Sequence, residues 1–186
     1  MKRFLFILCV FLCFSCDEIH VPKPKAFLSL NYPKATYHES SLDLPFSFET
    51  NTLAQLNSPK KNNTLDGITL RYPTLKASVF INYKKVETTV DTYIADARAM
   101  TQKHLQIADE ISERKYENVQ QNMYGMFYDL KGNVASQSQF YVTDSTQHFI
   151  SGALYFETKP NYDSILPAIN YIQKDLMHFI ETLRWN

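Results

Sequence analysis

The stretch NMYGMFYDLKGNVASQSQFYVTDSTQHFISGALYFETKPNYDSILPAINYIQKDLMHFIETLRW, residues 122–185, decides the fold. Residues 123–130, 134–143 and 148–158 are strand-length runs rich in aromatic and β-branched groups. Lys131-Gly132-Asn133 and Asp144-Ser145-Thr146-Gln147 separate them, and such residues make tight turns because their side chains bond the nearby backbone. The three runs therefore predict an antiparallel meander. In the third run Phe149 and Tyr155 fall on one face, and Ile150, Leu154 and Phe156 on the other. Apolar groups on both faces predict a central strand, covered on both sides. Gly152 within it predicts a close approach by a neighbour. After Pro160-Asn161, residues Ile165, Ile169, Ile172, Leu176, Phe179, Ile180 and Leu183 recur at three- and four-residue steps. That spacing predicts an amphipathic helix over 163–184, with Pro167 close to its first turn, where a missing N–H is best tolerated.

Upstream of this stretch, residues 27–32, 45–49 and 68–72 read as strands, the second at an edge because of Pro45. Residues 57–63 read as a loop. Residues 75–83 alternate cleanly: Leu75, Ala77, Val79, Ile81 and Tyr83 on one face, Lys76, Ser78, Asn82 and Lys84 on the other, with Phe80 as the exception. Val90, Tyr93, Ile94, Ala97, Met100, His104, Ala108 and Ile111 predict a second long helix over 89–114, with Thr88 and Asp91 placed as a capping box. The fold class expected is α+β: one domain in which an antiparallel sheet is covered by two long helices.

Composition narrows the function. The chain has 186 residues, 45% of them apolar and 20% charged, enough for one domain with its own core. Four glycines in the whole chain argue against a glycine-rich phosphate loop. Without Lys2 and Arg3, 17 of the 19 basic residues remain against 19 acidic ones. That balance supplies no electrostatic footprint for nucleic acid.

Residues 1–15 read as a targeting signal: a basic start at Lys2 and Arg3, then an apolar run over 4–14 that is short for a membrane span. The run ends in Leu12-Cys13-Phe14-Ser15-Cys16, which looks like a lipobox with Cys16 as the lipidated first residue of the mature chain. Cys9, Cys13 and Cys16 are the three cysteines, so the mature domain would have none left for a disulfide. Acyl chains such as palmitate on Cys16 would anchor the domain, each buried CH2 contributing about 0.8 kcal/mol. Residues 16–26, with Pro22 and Pro24, read as a tether, and 27–186 as the domain.

Two groups of residues are candidates for chemistry or contact. Asp144, Ser145 and His148 are hydrolase-like types, but closeness in sequence does not align a triad, and Asp and Ser are standard turn residues. No Gly-x-Ser-x-Gly elbow occurs, so no catalytic residue is assigned. His104, His148 and His178 match no metal spacing, and neither a metal nor a cofactor is assigned. His104 reads as a half-buried histidine on the helix. The alternation of residues 134–143 puts Gln137, Gln139 and Tyr141 on one face, where amides beside aromatic rings suit a wet interface. Gln137, Gln139, Tyr141, Asp144 and His148 are therefore the candidate partner contacts.

The chain carries Pro22-Lys23-Pro24-Lys25, Asn31-Tyr32-Pro33, Gln139-Phe140-Tyr141-Val142-Thr143-Asp144-Ser145, His148-Phe149, Ala153-Leu154-Tyr155-Phe156 and Pro160-Asn161-Tyr162-Asp163-Ser164. Together with the signal and lipobox, these strings resemble the gliding motility lipoprotein GldD family of Bacteroidota. The resemblance spans nearly the whole chain. It implies a non-enzymatic lipoprotein of the cell envelope, periplasm-facing, held to a membrane through Cys16 and needed for gliding. It further implies support for the assembly or stability of the gliding and type IX secretion machinery, whose envelope proteins would be its partners. It brings no catalytic residue and no cofactor. The order of elements also resembles the PsbP and Mog1-like sandwich. The alternative is a small-ligand-binding or hydrolytic envelope lipoprotein that uses the Asp144–His148 region.

Overall fold

The computed structural model describes residues 30, 32–40, 42–57, 60–61, 64–65, 67–158 and 161–186. The expected signal, the lipidated cysteine and most of the 27–32 run lie outside these residues. Leu30 and Tyr32, which are described, belong to no strand.

The elements in chain order are β1 (Tyr37–Glu39), β2 (Phe46–Ser47), β3 (Glu49–Asn51), β4 (Gln55–Asn57), β5 (Lys60–Lys61), β6 (Thr64–Leu65), β7 (Ile68–Tyr72) and β8 (Ala77–Lys85). Helix α1 (Val90–Gln102) follows, then β9 (Glu110–Asn118), β10 (Met123–Lys131), β11 (Ser136–Thr143), β12 (His148–Phe156), helix α2 (Tyr162–Thr182) and β13 (Arg184–Trp185). Seven strands form one sheet in the order β4-β7-β8-β12-β11-β10-β9, with every pair antiparallel. The expected meander is present as β10-β11-β12, and β12 is the middle strand of the seven. Two hairpins turn on residues in the left-handed region, Lys76 between β7 and β8 (φ 48°) and Asn122 between β9 and β10 (φ 49°).

Register separates the two faces. Ile81 lies beside Gly152, Gly152 beside Phe140 and Phe140 beside Phe127, so these residues share a face. Together with Val79, Ile150 and Leu154 they pack on Ile172, Leu176, Phe179 and Ile180 of α2, and on Phe46 and Phe48. This is the main core. The helix stripe read from the sequence is the buried one, except that Ile165 is only partly covered and Asp175 is buried within it. Pro167 sits inside α2, past its first turn. On the opposite face Tyr128, Leu130, Val134, Tyr141 and Phe149 pack under Val90, Tyr93, Ile94 and Ala97 of α1. The chain ends sealed to the main core: β13 pairs with β2, and the Asn186 N–H donates to the Pro45 carbonyl at 3.0 Å.

The expected helix over 89–114 is corrected. Helix α1 stops at Gln102, and β9 pairs with β10 along its length from Asn118–Met123 to Glu110–Lys131. Glu, Arg and Lys are good helix formers, so local propensity favours continuing the helix through 110–115. Pairing prevails because the strand finds cross-strand partners. Arg114 bonds Asp129 at 3.1 Å and lies over the Phe127 ring at 4.9 Å, and Lys131 bonds Glu110 at 2.9 Å. β9 is one of the sheet's two edges, where charged side chains discourage pairing with another chain. The capping box is also corrected: Thr89 is the N-cap, its hydroxyl bonds that of Thr92 at 3.2 Å, and no side chain caps the helix backbone. The expected 57–63 loop contains the two-residue strand β5, paired with β6.

Candidate functional site

The Asp144–His148 turn uses its acid for structure. Asp144 Oδ1 accepts from the backbone N–H groups of Thr146 (2.9 Å), Gln147 (2.8 Å) and His148 (2.8 Å), and Oδ2 from the Thr146 hydroxyl (3.0 Å). Burial alone would raise the Asp144 pKa. The backbone donors from His148, Thr146 and Gln147 outweigh it and leave the carboxyl below its ordinary value. Ser145 takes the left-handed conformation that tightens the turn (φ 66°). The His148 ring points elsewhere: Nδ1 bonds the Tyr83 hydroxyl at 2.8 Å, and the ring stacks on Trp185 with centroids 5.0 Å apart. Asp144 and His148 thus meet through a backbone N–H, and their side chains do not converge.

Of the expected glutamine face, Gln139 and Tyr141 lie beneath α1, whereas Gln137 falls at a register irregularity between Ser136 and Ser138. Gln137 is 2% exposed and donates from Nε2 to the Val134 carbonyl at 2.7 Å. Tyr141 stacks on Phe149 with centroids 5.7 Å apart. Gln139 is 6% exposed, and its Oε1 accepts from the Thr101 hydroxyl on α1 at 2.8 Å. Its Nε2 has no partner among the described residues.

That amide lies at the floor of a groove. Helix α1 rests on β11 and β12 and meets the far end of β8 through Tyr93, whose ring lies under Lys84 at 5.6 Å, and it leaves Phe80 of β8 exposed. The gap is a cavity of about 360 Å³ between the helix and the sheet, within the usual size range of ligand pockets. Phe80 of β8 stands on one side and Met100 of α1 on the other, 47% and 50% exposed. The Phe80 ring is braced edge-on by Tyr155 at 5.7 Å. Asn82, Ser151, Gln139 and Thr101 supply the polar lining, and no charged residue lines the groove. Tyr128 lines the groove as well; its buried hydroxyl closes no hydrogen bond of ordinary geometry, although the Arg98 guanidinium lies close enough to interact with it. Leu105, which is exposed, continues the apolar surface past Thr101. The one sequence signal for this site is Phe80, an aromatic residue on the wet face of an otherwise alternating strand.

A second polar knot was not legible at all. Asp175 of α2 is 5% exposed, and accepts from the Tyr37 hydroxyl and from Asn51 Nδ2, both at 2.8 Å. The buried Tyr72 phenol adds a further interaction. Burial raises the Asp175 pKa, against the opposing hydrogen bonds of Tyr37, Asn51 and Tyr72. Nearby, His178 Nε2 bonds Glu49 at 2.7 Å and the ring stacks on Tyr37 with centroids 3.6 Å apart. These contacts clip the arm containing β1 and β3 to α2. His104 is half-buried in the turns after α1, with its pKa lowered by burial. Among the described residues no three His, Cys, Asp or Glu side chains are grouped to hold a metal ion. Among them, too, no helix is long and apolar enough to cross a membrane.

No curated protein matches this chain. A family model does, over residues 17–185, and its description is gliding motility lipoprotein GldD. With nearly everything after Cys16 matched, the chain belongs to the GldD family of gliding motility lipoproteins.

Proposed function

We propose that this membrane-associated gliding lipoprotein works by docking and not by catalysis, supporting the assembly or stability of the gliding and type IX secretion machinery. In this reading residues 1–15 are the signal, Cys16 carries the lipid, 16–26 form the tether, and the 27–186 domain faces the periplasm. The observation that carries the docking role is the uncharged groove with Phe80 and Met100 exposed on its two sides. Exposed large apolar groups beside fixed polar ones are the mark of a contact surface. Gln139 reaches the partner from the floor, while Tyr141 packs beneath α1 and Gln137 fixes the start of β11 through the Val134 carbonyl. The Asp144–His148 turn shapes the β11–β12 end. The order of elements also supports kinship with the PsbP and Mog1-like sandwich.

The test is motility with protein level measured in the same cells. Met100→Glu places a charge at the groove, and is expected to impair gliding while the lipoprotein stays at normal abundance. Cys16→Ala is expected to abolish both acyl labelling and gliding. Normal gliding with Met100→Glu would refute docking through this groove, and persistent acyl labelling in Cys16→Ala would refute the lipobox.

A further inference from the structure

We infer that the groove beside α1 receives a short, uncharged apolar peptide segment of a partner protein. One aromatic or aliphatic side chain sits between Phe80 and Met100, and its backbone amide faces Gln139. The inference rests on the docking role proposed above and names the chemistry of the partner.

Three features select this occupant. First, no charged residue lines the groove and the nearby Arg98 guanidinium is already engaged with Tyr128 and Tyr141, so a charged segment would lose its water for little counter-charge. Second, the floor is polar in a fixed way. One end of the Gln139 amide is held by the buried Thr101 hydroxyl at 2.8 Å, and the other has no partner among the described residues. The side chains of Asn82 and Ser151, on the same sheet face, have no hydrogen-bond partner there either. A peptide group supplies both an N–H and a carbonyl to such a row, whereas an acyl chain would cover these atoms and bond none of them. Third, the side walls are apolar and well placed. Phe80 is braced by Tyr155, and Met100 has the flexible thioether that adapts to different side chains.

The experiment uses the full lipid-anchored chain in phospholipid nanodiscs, with the methionine methyl groups 13C-labelled. The probes are blocked tripeptides, acetyl-Ala-Xaa-Ala-amide with Phe, Leu, Trp or Lys in the middle, and decanoate. The Met100 methyl signal is expected to shift saturably with the Phe, Leu and Trp peptides, and not with the Lys peptide or decanoate. Met123, buried in the opposite core, and Met177 on α2 should stay still. Phe80→Asp alters an exposed side chain, keeps the Met100 reporter, and should weaken binding at least about tenfold. A Met100 shift with decanoate and none with the peptides would overturn the inference in favour of a lipid. No shift with any probe would overturn it outright. Gliding of Phe80→Asp cells separates the two levels of the argument. If the parent binds none of the peptides and Phe80→Asp cells still lose gliding, the docking role stands and the peptide chemistry falls. If the parent binds the peptides and Phe80→Asp cells glide normally, the site stands and its role in motility falls.

Discussion

Replacing Gly152 by alanine tests the packing of the central strand. In an unobstructed strand the change would add roughly 0.5–1 kcal/mol of stability, because glycine loses more freedom on folding. At Gly152 a Cβ falls into the Phe140 ring, and even the more distant Cδ1 lies at 3.2 Å. The ring has no free direction. It stacks on Phe127 at 6.2 Å, meets Phe179 of α2 at 5.9 Å and is itself fully packed in the main core. Forcing a methyl group into such a site costs roughly 1–3 kcal/mol. The net expectation is a loss of about 1–2 kcal/mol, with an unchanged urea m-value. Phe140→Leu alone should cost about 1–2 kcal/mol through the lost ring. The double variant should be more stable than the sum of the two losses by roughly 1–3 kcal/mol, because the leucine makes room for the methyl group. Urea unfolding followed by the fluorescence of Trp185, the single tryptophan, measures all four proteins. If Gly152→Ala is as stable as the parent, or the two losses simply add, the contact does not constrain the core as described.

Two further predictions concern acids whose pKa values move in opposite directions. Asp144→Ala removes the acceptor of three backbone N–H groups, and should cost roughly 1–3 kcal/mol at pH 7. Its folded pKa is depressed, so this contribution is present above the unfolded value of about 3.9 and is lost as pH falls through the lower folded value. Equal stability of parent and variant at pH 7 would sink the turn assignment. Asp175 has the opposite sign. Its folded pKa is raised, so its ionisation opposes folding, and the penalty grows as pH rises from about 3.9 through the folded value. Asp175→Asn should therefore gain on the parent in unfolding free energy across that window. Parallel stability curves for the two proteins would contradict the burial argument.

Patterns of local origin were legible in the residues alone. The meander, the central place of the 148–156 strand, the α2 stripe and the close approach at Gly152 all follow from which side chains share a face. Periodicity records that directly, because a residue's face is set by the backbone geometry of its own element. The turn role of Asp144 was legible for the same reason: its partners lie within four residues. Residues 110–118 were not legible. Their charges favour a helix in isolation, and only pairing with β10 makes them a strand. Nor was the groove, which exists because α1 ends at Gln102 and rests on β11 and β12 while Phe80 remains uncovered on β8. Asp175 meets Tyr37 and Asn51 across more than a hundred residues of chain, so no local pattern announces it. The sequence by itself determined the family, the strand-and-helix plan and the faces of its regular elements. The tertiary structure alone decided that Gln137 and Gln139 are buried, and that the Gln139 amide lies under α1 facing a groove. The reason is that burial depends on which distant element lands on a face, and a short helix covers only the strands it reaches.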